Sequence, residues 1–383
     1  MYTSFNFHLP TRIQFGYEKV KELKNLPFQA NRAFIVTDKG VEKAGLLNDV
    51  IDAIKQANMT YKIYRDVEPD PSVETVDKAA KAFAEAECDL LIAVGGGSPI
   101  DTAKGVRVVA SNGGSIRNYS GVNLVKEAPS VPLVAIPTTA GTGSEVTIFA
   151  VFSDDKENRK VTVTSSHLSP DVSIIDPKLT LTAPPSITAA AGFDAFAHAA
   201  EAFVSRISQP PSDALALSAM KTVHTYLRRA VYNGDDIEAR MKMAEASLLA
   251  GMAFNQSYLG LAHAIGSAIS VHAHVSHGVV IGLLLPKVIE YNLVAKIDKY
   301  AEAGKYIEQS SHGLSNYEAA ALFSETVTQL RNDIGLPKQL REVNVKEAQL
   351  EAISKDSIKS GMWQFNPRRA SEQDVYQMLR EML

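Results

Sequence analysis

The segment Cys88-Asp89-Leu90-Leu91-Ile92-Ala93-Val94-Gly95-Gly96-Gly97 constrains the fold more than any other part of the chain. Five consecutive apolar residues of strand length, running straight into glycine, cannot leave one face in water. Such a strand belongs in a sheet covered on both sides. The neighbouring sequence repeats the pattern. AFIVT (33–37) and VPLVAIP (131–137) are further apolar strands, and MTYKIYRDV (59–67) is a more polar one. Between them lie segments of helical spacing: 41–58, with Leu46, Val50, Ile54 and Ala57 on one face; 72–87, opened by Ser72; and 98–111. Strand alternating with helix predicts a parallel sheet with helices on both faces, whose ligands bind beyond the carboxyl ends of the strands.

The second half reads differently. Residues 212–233, 239–257, 296–309, 317–335 and 371–383 all carry a period near 3.6 with few β-branched runs, and predict amphipathic helices. The change falls in DPKLTLTAPPSITAAAG, where Pro184-Pro185 breaks structure and Ser186 is placed to cap the next helix. The expected organisation is an α/β dinucleotide-binding domain at 1–183 and an all-helical metal-binding domain at 184–383. No internal repeat or low-complexity segment interrupts either.

Four residues of the second half are chemically conspicuous. Asp194 and His198 lie in GFDAFAHAAEAF, four apart, so a helix would put both on one face. His263 lies in LGLAHAIG and His277 in VSHGVVIGLLLP, both apolar runs. Buried imidazole and carboxylate are unfavourable unless paired. One divalent cation would satisfy all four, and N/O ligands without thiolate suit Fe(II), Zn, Mn or Ni. Taken singly, each histidine reads as readily as a hydrogen-bonded core residue.

Two strand ends in the first half suit phosphate chemistry. Gly95-Gly96-Gly97-Ser98 leaves a strand and opens a helix, so backbone amides and a positive helix end are available to an anion. Asp101 and Lys104 follow on the first turns. Thr138-Thr139-Ala140-Gly141-Thr142-Gly143-Ser144 lies at another strand end. Neither is a P-loop, and the dinucleotide fingerprint is incomplete because Ile100 replaces its last glycine; alone, GGGS reads equally as a structural strand–helix turn. Asp38, after the AFIVT strand, is placed to accept from a ribose 2′-hydroxyl and to repel a 2′-phosphate, which favours NAD over NADP; the alternative is an ordinary turn aspartate.

Composition narrows the function classes. With 39 basic and 43 acidic residues the net charge is −4, and no basic stripe suits nucleic acid. The lone Cys88 excludes an intrachain disulfide framework and any cysteine metal cage. No apolar run approaches membrane-spanning length, and the start lacks a secretory pattern. A cytoplasmic, metabolite-handling protein is the expectation, with neither nucleic acid nor membrane as partner.

The ordered set GGGSPIDTAK, IPTTAGTGSEVT, IDPKLT, GFDAFAHAAEAF, LGLAHAIG and SHGVVIGLLLPKVIEYN resembles the iron-containing (group III) alcohol dehydrogenases. The likeness extends from FGYEKVKEL near the start to Asn366-Pro367-Arg368 near the end. It implies a Rossmann-like α/β domain followed by an all-α domain, the dehydroquinate synthase-like architecture, usually in a homodimer or larger homo-oligomer. It implies that Asp194, His198, His263 and His277 hold the metal, Fe(II) in most members and Zn in some. By motif position, Asp38, Asp70, Gly96, Gly97, Ser98, Asp101, Thr138, Thr139, Thr142, Val151 and Lys160 form the NAD-binding set. Asp70, in Pro69-Asp70-Pro71, stands where many members have Asn. Ser267 stands where members commonly have a second histidine four residues after the third ligand, which touches proton transfer and substrate range rather than the ligand set. His272 and His274 are candidate relays or plain loop histidines. The implied activity is NAD-linked interconversion of a short primary alcohol or diol and its aldehyde by direct hydride transfer, with the metal as Lewis acid. Phe149, Phe254, Leu259, Met362 and Trp363 read equally as pocket lining or as core. The rival readings are a glycerol dehydrogenase-like or other NAD- and metal-using enzyme on the same scaffold, and a catalytically impaired binding member.

Overall fold

The computed structural model describes residues 4–154, 156–157, 159–311 and 313–383. Its strands are β1 (Arg12–Phe15), β2 (Arg32–Val36), β3 (Thr60–Tyr64), β4 (Leu90–Gly95), β5 (Gly121–Val122), β6 (Leu133–Pro137), β7 (Phe149–Asp154), β8 (Arg159–Thr164) and β9 (Val172–Ile175). Six of them form one sheet in the order β1-β9-β6-β4-β2-β3, with every neighbouring pair parallel. Helices α1 (Lys39–Lys43), α2 (Leu47–Gln56), α3 (Val73–Glu85) and α4 (Gly97–Asn112) alternate with these strands.

The apolar strands are continuous because each face of the sheet has its own core. Ala33, Ile35, Ile92, Val94, Val134 and Ile136 pack with Val50 and Ile54 of α2. Their neighbours Phe34, Val36, Leu91, Ala93, Leu133 and Ala135 point the other way, onto Ala79, Phe83, Ile100 and Ala103 of α3 and α4. Each such Ile, Leu or Val contributes roughly 1.5–3 kcal/mol on burial, so a polar substitution on either face is costly. A smaller sheet, β5-β8-β7, joins an antiparallel hairpin (β7, β8) to a short parallel strand.

The remaining helices are α5 (Pro185–Val204), α6 (Pro210–Tyr232), α7 (Ile237–Ser257), α8 (Leu261–Ala273), α9 (His277–Leu293), α10 (Ile297–Ile307), α11 (Asn316–Asp333), α12 (Leu350–Lys359) and α13 (Glu372–Glu381). Helix α5 begins at Pro185, with Pro184 rather than Ser186 as the residue before it. Proline at the first helical position gives up an N–H that has no partner there anyway, so the break and the start coincide. From Thr188 to Val204, α5 is buried almost all round, as expected of a helix with no polar face. It packs against α6 so closely that a Cβ on Gly192 would lie 2.3 Å from Leu227 Cδ1.

The chain divides into two compact units, Leu9–Ala183 and Pro184–Leu383, the latter joined by the residues up to His8. That N-terminal segment is tied to the helical unit by Gln209 Nε2 donating to Asn6 O (3.1 Å) and by paired bonds between Gln256 and the His8 backbone (3.2 and 2.8 Å). Among the described residues, no helix is long and apolar enough to cross a membrane.

Candidate metal centre and cofactor loops

Strands β6, β4 and β2 are parallel neighbours, so the segments leaving their carboxyl ends share one edge of the sheet. Those segments carry Thr138–Ser144, Gly95–Ser98 and Asp38. Gly96 precedes α4 without a side-chain cap, and Gly97 and Ser98 are its first residues. The two loops are in contact: a Cβ on Gly97 would lie 3.0 Å from Thr142 Cγ2, and one on Gly96 would lie 3.3 Å from Thr139 Oγ1. Thr138 N donates to Gly95 O at 2.9 Å. The result is a glycine-rich helix start beside a threonine loop, an arrangement that offers amides and hydroxyls to a pyrophosphate. Asp38 caps α1, its Oδ1 accepting from Val41 N at 2.9 Å.

Asp70 has φ +54, which Asp and Asn tolerate better than most residues. Its Oδ1 lies 3.2 Å from Lys160 Nζ, which also donates to Ser153 Oγ at 3.1 Å. Val151 and Lys160 belong to the β7–β8 hairpin, and Ser153 N donates to Pro71 O (2.9 Å), joining that hairpin to the Asp70 turn.

Asp101 and Lys104 are committed within the protein. Lys104 is fully buried, and its Nζ donates to Ser144 Oγ (2.9 Å), Thr147 Oγ1 (3.2 Å) and Phe149 O (2.7 Å). Asp101 accepts from Ser144 Oγ at 2.5 Å and from Val151 N at 2.9 Å. Burial pushes the Lys104 ammonium down to about 8 against the pull of Asp101 and Glu145. Burial likewise raises Glu145 to about 7. This network fixes the end of the threonine loop and the start of β7 to α4, so Phe149 is anchored through its carbonyl.

In the helical unit, α5 presents Asp194, His198 and Glu201 at i, i+4 and i+7, one face of a helix. His263 sits on the first turn of α8, and His277 is the first residue of α9. One ligand atom each from Asp194, His263 and His277 lies within 4.8 Å of the others. His198 stands beside them, its Nε2 3.9 Å from Asp194 Oδ1 and its ring stacked on His263 at 4.6 Å. Phe254 also stacks on the His198 ring at 4.5 Å, so its ring packs against that imidazole rather than standing free. The His263 and His277 ring centres are 5.5 Å apart.

Asp194 Oδ1 and His263 Nε2 are 3.4 Å apart, both buried, and neither has a hydrogen-bond partner. Two orphaned polar atoms would each cost about 1–3 kcal/mol if left so. Ligand atoms about 2.1 Å from a common ion lie about 3–4 Å from one another, so the donor set fits a divalent cation. The electrostatics agree. Burial alone would raise the Asp194 carboxyl, but His198, His263 and His277 hold it well below the usual carboxylate range. Burial alone would lower the His263 imidazolium, but Glu201 and Asp194 lift it to about 9. The site is built for positive charge, and the donor atoms suit a metal ion in place of protons.

Of the other expected residues, Leu259 is half-buried in the link between α7 and α8, and Met362 and Trp363 lie in a 3₁₀ turn (Met362–Phe365) where Trp363 Nε1 donates to Ile358 O at 2.5 Å. Ser267 is half-buried on α8, one turn beyond His263. His272 is held by Asp356 (Nε2–Oδ2 2.8 Å), and His274 is exposed at the end of α8 with φ +53; these are the surroundings of structural and loop histidines. Glu201 and the burial of Lys104 went unremarked in the sequence. The signal for Glu201 was present: a carboxylate seven residues after Asp194 in an otherwise apolar helix.

Fold and site together define a metal-dependent enzyme of a known class. The family profile described as "Iron-containing alcohol dehydrogenase" matches residues 10–177, and that described as "Fe-containing alcohol dehydrogenase family, C-terminal" matches 188–383. The chain belongs to the iron-containing alcohol dehydrogenase family. It is 39% identical over 380 residues to an NAD-dependent methanol dehydrogenase of Bacillus methanolicus, covering 99% of this chain and 100% of the relative. It is 37% identical over 378 residues to a 1,3-propanediol dehydrogenase of Citrobacter freundii, covering 98% and 96%. The solved alcohol dehydrogenase from Oenococcus oeni superposes with a TM-score of 0.96 at 34% identity, covering 99% and 100%. The expected family and two-part architecture are thus borne out.

Proposed function

We propose that this chain is an NAD-linked, metal-dependent alcohol dehydrogenase that interconverts a short primary alcohol or diol with its aldehyde. The observation that carries the reading is the buried cluster around Asp194 Oδ1 and His263 Nε2, orphaned atoms of a donor set that a cation completes. Asp194, His198, His263 and His277 would hold the metal, Fe(II) first and Zn second. When bound, the metal supplies Lewis acidity to the substrate oxygen and the nicotinamide takes or gives the hydride. The protein's own residues bind and orient. The Gly96–Ser98 helix start and the Thr138, Thr139 and Thr142 loop offer donors for the pyrophosphate. Lys160, Asp70 and Val151 present the hairpin side of the site. Phe254 keeps one face of His198 dry. The substrates named for the two relatives support a small alcohol or diol, and the family resemblance supports assembly as a homodimer or larger oligomer. The single cysteine and mildly acidic balance support a cytoplasmic setting.

The test is a scan of anaerobically reconstituted protein against short alcohols, glycerol and 1,2- and 1,3-diols with NAD, and against the aldehydes with NADH. Turnover with at least one short alcohol is expected. No NADH formed from any alcohol and none consumed with any aldehyde would end this reading.

A further expected result concerns cofactor choice. Asp38→Asn keeps a side-chain oxygen able to cap α1 but removes the charge that opposes a 2′-phosphate. The kcat/KM ratio of NADP to NAD should rise by roughly tenfold or more. An unchanged ratio in a folded variant would remove Asp38 from the ribose site.

A further inference from the structure

Glu201 is 4% exposed, on the same face of α5 as Asp194 and His198. Its carboxylate accepts from three donors around the start of α8: His263 Nδ1 at 2.6 Å, Gly260 N at 3.0 Å and Ala262 N at 2.7 Å. The amide between the last two, Leu261 N, donates instead to Asn366 Oδ1 at 3.3 Å. Asn366, 1% exposed, is cross-linked to Asn292 by bonds of 2.9 and 2.7 Å and donates to Arg368 O at 2.7 Å. Three successive amides that no helical carbonyl can satisfy are therefore taken by two buried side chains.

The fit around this turn is close. A Cβ on Gly260 would lie 3.0 Å from Glu201 Oε1 and 3.0 Å from Asn366 Oδ1. Just before it, Tyr258 adopts φ +57 and ψ 179, a conformation that side chains rarely hold unless their surroundings enforce it. Its ring is stacked on Phe365 at 4.6 Å. The backbone entering α8 is over-determined, and the first ring it presents is His263.

We infer that Glu201 is a positioning residue of the metal centre: it accepts a hydrogen bond from Nδ1–H of His263, so that Nε2 keeps its lone pair beside Asp194, and it anchors the turn that aims that ring. The inference rests on the metal reading above. A carboxylate behind a metal-ligating histidine fixes its tautomer and raises its basicity, and losing one typically weakens metal affinity about 10–100-fold. A plain capping role would show differently, because Asn366 caps the same turn without touching the ring.

The test compares Glu201→Gln and Asn366→Ala with wild type, using intact protein and measuring Co(II) and Zn(II) affinity by chelator competition. The visible d–d absorption of the Co(II) form gives a second readout. Glu201→Gln should bind either metal about 10–100-fold more weakly, with an altered Co(II) spectrum. Asn366→Ala should lose thermal stability but keep metal affinity within about threefold. A folded Glu201→Gln protein with wild-type affinity and spectrum would overturn the inference, as would an equal loss of affinity in Asn366→Ala. Should Glu201→Gln fail to fold, 15N-histidine spectra of zinc-loaded wild type decide it: His263, identified by the signal lost in His263→Gln, should carry its proton on Nδ1, and a proton on Nε2 overturns the assignment. Wild type that takes up neither metal would overturn the metal reading itself, and not only the role of Glu201.

Discussion

Asp194→Ala should release the metal and lower kcat/KM with alcohol and NAD by at least about 10³-fold, because Lewis-acid stabilisation of several kcal/mol disappears at about 1.4 kcal/mol per factor of ten. Asp194 is the one carboxylate of the proposed ligand set, and the neighbouring imidazoles already hold it ionised. Without it, the only buried carboxylate beside His198, His263 and His277 is Glu201, which is taken up on the far nitrogen of His263, and a cation loses the one charge-neutralising member of its proposed ligand set. The helix should survive, since alanine suits the interior of α5 and the variant removes a buried charge rather than adding one. Every proposed cofactor contact precedes residue 184, so NAD affinity should stay within about twofold of wild type. Metal content, NAD titration and steady-state kinetics on the same preparation check all three outcomes. Stoichiometric metal in the variant would refute the ligand assignment.

Lys104→Met should be the most destabilising single change in the α/β unit. The substitution roughly conserves length but strips three hydrogen bonds from one buried ammonium. It leaves Ser144, Thr147 and the Phe149 carbonyl short of a donor, and Asp101 without its neighbouring cation. Breaking a buried charged network by removing one partner costs about 3–5 kcal/mol. At roughly 2–4 °C per kcal/mol for a unit of this size, the apparent Tm should fall by roughly 10 °C. Because this network fixes the end of the threonine loop, KM for NAD should rise as well. A Tm within about 2 °C of wild type would mean that the ammonium offsets little more than its own burial.

The interior of the large sheet was legible because strands buried on both faces must be apolar throughout, as 90–94 and 133–136 are. Its edges were not. β1 (RIQF) mixes polar and apolar residues, and β9 (VSII) is too short to stand out. The β7–β8 hairpin is buried on alternate residues in β7, a weaker signal than a continuous apolar run. In the site, Asp194 and His198 announced themselves by four-residue spacing inside an apolar helix. One cation could already be drawn to all four, but the family likeness made that reading specific, since nothing local links α5 to residues some seventy to eighty positions away. Glu201 shared the same stretch, but its meaning lies in the amides of Gly260 and Ala262, which only the packed helices bring to it. Lys104 was visible only as a lysine on the first turns after the glycines, and its burial beneath the segment 144–149 is set by partners some forty residues away. Both surprises are polar residues paid for by distant partners, which a one-dimensional pattern cannot display.

On the proposed function, this chain works through one divalent cation held by Asp194, His198, His263 and His277. The most direct test is the metal-to-chain ratio of anaerobically purified wild-type protein, followed with alcohol-dependent NADH formation while a chelator removes the metal. About one ion per chain is expected, with activity that falls in proportion to its loss. Protein that keeps full turnover after its metal is gone would contradict it.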